Sequence, residues 1–291
     1  MPIIPRPKTI FRNDPCPCGS GKPAKTCCLL QDGTIFKAPR QMSFGLQSKK
    51  HPKCYLRNLG GCGAKLTNEH LISEAVDTKP TGKFFFDGKE VSGPAPLAVE
   101  AKVLCDKHNA EYGAKIDETG IKYCDFFGEV FTNNSLRNLI ISGHDLESYL
   151  IQRLCVHHFG KLFSFNEKSL KDAFLDMAAV ERALTLNEFS HGGGLYITLA
   201  PPQSFQHPST IERAAIYSPN GNEIVGIRFT VQEVSVALLL HNKHPLTFPI
   251  WGYRPKGFQM VFPDGKASTI HLSWLCGAKS PMERYYAVPK I

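Results

Sequence analysis

No stretch of the 291-residue sequence approaches the roughly 18 consecutive apolar residues needed to span a bilayer. Met1 to Lys8 is proline-rich and has no apolar core of the kind a secretory signal needs. Together these absences lead to the expectation of a cytoplasmic protein. There is no internal repeat, no low-complexity tract and no polybasic tail. The formal net charge of +8 is moderate, and it suits a phosphate-rich partner without demanding one. The composition is not that of a disordered chain: hydrophobic residues make up 42% and aromatics 10%, with 19 phenylalanines.

What the sequence does have is cysteine. Seven of its ten cysteines fall within the first 105 residues, in two groups. In a cytoplasmic chain, clustered cysteines are metal ligands rather than disulfide partners. The other three, Cys124, Cys155 and Cys276, are isolated and read as small buried hydrophobes. The length suggests two domains, or three if one is a small metal module. The segments expected are a knuckle over 1–31, a polar and basic linker over 32–52, a second metal-bearing domain over 53–131, and an α+β domain over 132–291.

In the first group, Cys16, Cys18, Cys27 and Cys28 stand in a Cys-x-Cys-x8-Cys-Cys arrangement. Four thiolates suit a closed, tetrahedral, structural zinc site. Gly19 and Gly21 let the backbone fold back between the pairs. So small a module buries little core, and metal binding must supply on the order of 10 kcal/mol of its folding energy. Gly19-Ser-Gly-Lys22 is not a phosphate-binding loop: the upstream glycine is missing, and Pro23 stands where the magnesium-binding hydroxyl belongs.

The run Asn-Asp-Pro-Cys-Pro-Cys-Gly-Ser-Gly-Lys at 13–22, closed by Cys27-Cys28, closely resembles the SEC-C motif. That resemblance implies a zinc knuckle that docks onto another macromolecule, a protein partner for example.

In the second group, Cys54 and Cys62 form one half-site, and Cys105 with His108 forms the other. Together they would make a Cys3His zinc site, with His51 as an alternative to Cys54. Such a site would pin two distant stretches together. It would bring His70 near Asn109, although 38 residues separate them.

Glu69-His70 followed by an apolar residue, together with the closing Leu-Cys-x2-His-Asn at 104–109, resembles the HNH (ββα-metal) endonuclease superfamily. The resemblance implies that Glu69 and Asn109 hold a catalytic magnesium or manganese ion and that His70 is the general base. The chemistry suits these residue types. Phosphodiester hydrolysis needs a proton acceptor near neutral pKa for the attacking water. It also needs an oxygen-liganded cation to balance developing charge. In an extended strand, His70 would alternate away from Glu69 and could face the water. The expected departures from the family pattern are the Cys-x7-Cys spacing and Glu in the acidic position. Asp106 and Asp117 read as surface or capping residues.

The C-terminal half predicts two helices, over 145–163 and 170–186. They are followed by an antiparallel sheet built from 195–200, 214–217, 223–231, 234–240 and 258–262. His144, His157 and His158 read as core or surface histidines, and Gly192-Gly193-Gly194 as a flexible turn. The expected fold class is therefore α+β, with a zinc knuckle, a ββα-metal core, and C-terminal helices plus sheet. The expected activity is that of a metal-dependent endonuclease acting on nucleic acid, DNA rather than RNA, with phage defence or mobile-element biology as its setting. The rival is a non-catalytic zinc-dependent adaptor that binds nucleic acid or protein.

Overall fold

The computed structural model describes residues 6–41, 49–70, 83–86, 89–91, 100–133, 136–160, 164–165, 168–169, 173–198, 210–232 and 234–286. Strand β1 (Leu66–His70) leads, after β2 (Lys83–Phe86) and β3 (Lys89–Val91), to β4 (Glu100–Cys105). A helical turn at Asp106–His108 and a π turn at Asn109–Gly113 run into α1 (Ala114–Asn133). Then come β5 (Asn138–Ser142), α2 (Gly143–Phe159) and α3 (Met177–Leu186). The chain continues through β6 (Gly194–Thr198), β7 (Thr210–Tyr217), β8 (Glu223–Val231) and β9 (Val234–Leu239). It closes with β10 (Pro255–Val261), β11 (Lys266–Ser273) and β12 (Ser280–Tyr286).

Strands β6, β9, β8 and β7, in that order, form an antiparallel sheet as expected, with β6 beside β9 rather than its neighbour in sequence β7. The sheet is extended by β2, which pairs parallel to β7, and by β3. Phe84-Phe85-Phe86, from the middle of the chain, thus joins the C-terminal sheet in register with Ile211 to Arg213. The second sheet corrects the expectation of a purely antiparallel arrangement. β10 and β11 are antiparallel, but β12 runs parallel to β10 and β5 runs parallel to β11. β5 and Arg6–Pro7 cover the free edge of β11. Strand β12 adds on the far side of β10.

Helix α2 is the axis of the molecule and is buried from Gly143 to His157. Ser142 caps it by accepting the Asp145 N–H at 3.3 Å. The observed end at Phe159 falls short of the expected 163, and 161–163 lie outside the described residues. Helix α3 starts at Met177 rather than 170. Asp176 caps it through the Ala179 N–H, and Phe174–Leu175 pairs with β8 instead. Residues 170–172, 199 and 200 also lie outside the described residues. Helix α1 was not anticipated. It buries Ile116, Tyr123, Phe126, Phe127 and Val130, and Gly120 admits the Tyr149 ring of α2, where a Cβ would clash.

Glu147 of α2 anchors both sheets. It accepts the Leu195 N–H and both Nε and Nη2 of Arg254, each at 3.0 Å. Around this anchor, one hydrophobic core runs from Cys54 to Trp274, across the 131/132 boundary drawn from sequence. The described part of the segment read as a linker is tied to this body. The Lys37 N–H donates to Ser273 Oγ at 3.0 Å, and the Arg40 N–H donates to Asp145 Oδ1 at 2.8 Å. Residues 42–48 lie outside the described residues. No described helix is long and apolar enough to cross a membrane.

Candidate metal centres

The first cluster is built by a short antiparallel pairing of 12–16 with 22–25. The Cys16 N–H donates to Lys22 O at 2.8 Å, and the Lys25 N–H donates to Arg12 O at 2.9 Å. Gly19 and Gly21 take positive φ of 79° and 73° in the turn between them. The ligand atoms of Cys16, Cys18, Cys27 and Cys28 all lie within 4.8 Å of one another. Burial raises the Cys18 pKa, but Ser20 and the neighbouring thiols Cys27 and Cys16, aided by Lys37, outweigh it and bring the thiol down to about 6. The knuckle does not stand free. Cys16, Cys18, Ala24 and Cys28 pack with Ile140 of β5, and Lys122 of α1 donates to Cys18 O at 2.9 Å.

The second cluster joins a loop to the β1–β4 hairpin and its following turn. Cys54 and Cys62 come from the loop, whose Tyr55 N–H donates to Val103 O at 3.0 Å. Cys105 ends β4, and His108 ends the next helical turn. All four are buried, and their ligand atoms lie within 4.8 Å of one another. Cys54, and not His51, is thus the fourth member, 3.3 Å from His108 Nδ1. Gly63 is required here, because a Cβ would collide with the Asp106 carboxylate. The Gly63 N–H donates instead to Cys105 Sγ at 3.2 Å. Burial, with Cys105 and Cys62 adding to it, pushes the Cys54 thiol up to about 12 in the absence of a cation. Burial also lowers the His108 pKa, favouring the neutral imidazole a metal needs. Both donor sets fit zinc: four sulfurs in one, three sulfurs and an imidazole in the other.

Beside the second cluster lies a buried polar group of residues. Glu69 is 3% exposed, and its Oε1 has no hydrogen-bond partner. Burial raises its pKa to about 7, with Asp117 adding to the rise and Arg153 and Gln152 opposing it. Asn109 opens the π turn, and its Oδ1 reaches back over Gly113, where a Cβ would clash with it. That same Cβ would lie 3.4 Å from Gln152 Nε2. Gln152 thus lies near the Asn109 turn and also lowers the Glu69 pKa. The backbone of His70 continues β1 opposite Glu100, while its side chain lies outside the described residues.

Several residues in this region carry more than their sequence setting suggested. Asp117, partly exposed in the first turn of α1, also binds the fully buried Arg153 at 2.8 Å. Arg153 also stacks over Tyr149, whose hydroxyl accepts from Arg213 at 3.0 Å. An arginine inside the predicted helix 145–163 was the available signal, since a charge in that buried stripe requires a partner. Asp106 sits against Gly63 and accepts from the Lys107 N–H. His144 and His157 are core histidines, and the partly covered His158 has its pKa lowered by burial. Cys124 and Cys155 are buried as expected, but Cys276 is exposed, in the turn after β11.

Residues 12–30 match the SEC-C motif. The first cluster is thus a SEC-C knuckle whose cysteines are arranged to bind metal. Neither a search of curated proteins nor a search of solved structures gives a significant match.

Proposed function

We propose that the protein is a metal-dependent endonuclease of the HNH type, with His70 as general base. The observation that supports this best is the Cys3His cluster, whose ligands Cys105 and His108 tie the strand paired with Glu69 to the turn that opens at Asn109. An antiparallel β1–β4 pair followed by a helical segment carries a zinc ligand and, directly after it, Asn109. The orphaned Glu69 Oε1 and the Asn109 Oδ1 are hard oxygen donors, which suit magnesium or manganese. That ion, when bound, supplies positive charge to the scissile phosphate.

In this reading, His70 accepts the proton of a water whose oxygen bonds to phosphorus as the bond to the leaving oxygen breaks. Glu69 and Asn109 hold and orient the phosphate end of the site. The Cys3His cluster ties the β1–β4 pair, which carries Glu69, to the turn that carries Asn109. The Asp117–Arg153 pair keeps Glu69 in place.

A non-catalytic zinc-dependent adaptor is the second reading, and one observation favours it. Glu69 is buried, and Arg153 already supplies it with a positive neighbour. The test is cleavage of supercoiled plasmid, single-stranded DNA and RNA by the full chain with magnesium or manganese. Wild type is compared with His70→Ala at equal zinc content. Wild-type cutting that the variant loses supports the nuclease. No cutting of any substrate by fully zinc-loaded protein gives the adaptor reading the lead.

A further inference from the structure

The SEC-C knuckle has two faces of different character. Its inner face is committed to the body: Ile140 packs against the cysteines, and Lys122 Nζ reaches Cys18 O beside Gly19. The outer face carries exposed Arg12, Lys22 and Lys25. The antiparallel pairing sets Arg12 against Lys25 and places Lys22 at its other end. Asp14 is the only acid within those paired residues. Phe11, next to Arg12, is 61% exposed. A large apolar ring held in water next to a guanidinium gains nothing for the fold, and Phe11 is not part of the small core formed by the cysteines.

We infer that this outer face is a binding surface for single-stranded nucleic acid, with Arg12, Lys22 and Lys25 on phosphates and Phe11 stacking on a base. The inference deepens the endonuclease reading and rests on it for the identity of the partner. Cations alone would suit any acidic partner. The exposed ring favours nucleic acid, because every base offers a face for stacking while an acidic peptide does not. The net charge of +8 adds long-range attraction of the same sign. Geometry connects this face to the proposed site. Lys122, which holds the knuckle, lies on the helical segment that begins at Asn109, about 20 Å away along its axis. The knuckle and the turn that carries Asn109 are therefore tied to the same helical segment.

The experiment measures fluorescence anisotropy of a labelled thymidine 20-mer on the full chain carrying His70→Ala, without added magnesium. Salt runs from 50 to 200 mM, and zinc content is matched throughout. Arg12→Ala with Lys25→Ala should weaken binding and flatten the log–log salt slope by about 1.4, since each single-strand phosphate contact contributes about 0.7. Phe11→Ala should weaken binding roughly tenfold and leave the slope unchanged. Absence of wild-type binding, or unchanged affinity and slope in all variants, overturns the inference. So does competition by poly-glutamate as strong as by unlabelled oligonucleotide, which would mark the face as a docking surface for acidic protein. Failure of the nuclease reading looks different: binding persists and responds to these substitutions, while wild type with magnesium or manganese cuts nothing.

Discussion

The two cysteine clusters use nearly the same ligands and differ in how far the chain travels between them. In the knuckle, Cys16 to Cys28 close on themselves within one turn and a short pairing, with a separate small core. In the second cluster, the ligands Cys54, Cys62 and Cys105 belong to the main hydrophobic core, together with α1, α2 and both sheets. The same sulfur chemistry therefore does different work. A local site orders a few residues that could not otherwise fold. A long-range site closes a large loop, and its loss is felt wherever that loop packs.

The largest effect that would sharpen this contrast comes from Cys105→Ser. Cys105 Sγ accepts N–H bonds from Gly63 and His108 as well as completing the cluster. The expected cost is on the order of 5 kcal/mol or more, given the size of structural zinc binding energies. It should appear in calorimetry as loss of the main transition. Cys18→Ser should release one zinc and leave the main transition nearly intact. Equal losses from the two substitutions would break the distinction between local and long-range sites.

Asp117→Ala comes next. It leaves the fully buried Arg153 guanidinium without the partner at 2.8 Å. Breaking a buried pair from one side costs about 3 kcal/mol. Urea unfolding should show that loss with zinc still bound at both sites, so that the polar core and the metal are separated as sources of stability. A change below about 1 kcal/mol would mean that Arg153 is held without Asp117.

Lys122→Ala probes the seam between the two regions. It removes a bond to Cys18 O and an ion pair with the half-exposed Glu118. The expected loss is about 1 kcal/mol. Lys122, and after it Arg40, hold the Glu118 carboxyl down at about 2. A depressed carboxylate pKa contributes stability above its unfolded value near 4.5, and that stability fades as pH falls toward 2. The difference between wild type and Lys122→Ala should therefore narrow over that range in pH-dependent thermal unfolding. A constant gap would assign the effect to the Cys18 contact alone.

The metal-binding sets were legible because thiolate ligands leave a spacing that survives without any knowledge of the fold. The choice between His51 and Cys54 needed coordinates, since both precede the same turn. Strands 223–231 and 234–239 were legible as short apolar runs between turn residues. Helix α1 contains Gly120 and Gly128, which lower its intrinsic helix propensity. Gly120 is there for a ring from the neighbouring helix. The parallel pairings of β5 and β12 were invisible because partner choice depends on which edges are already taken. Arg153, Gln152 and Asp117 were hidden for a related reason: a buried polar group is recognised by partners that are remote in sequence.

The pairing of Arg6–Pro7 with Lys266–Ala267 sets an order of events during synthesis. A knuckle can wrap its own metal as soon as residue 28 has emerged from the ribosome. Its seat does not yet exist: Ile140 comes later, and the β11 edge and the Ser273 hydroxyl that fasten Arg6–Pro7 and Lys37 come later still. At 5–20 residues per second, the interval is on the order of tens of seconds. Throughout it the nascent knuckle is undocked, with both of its faces open to whatever the cell presents.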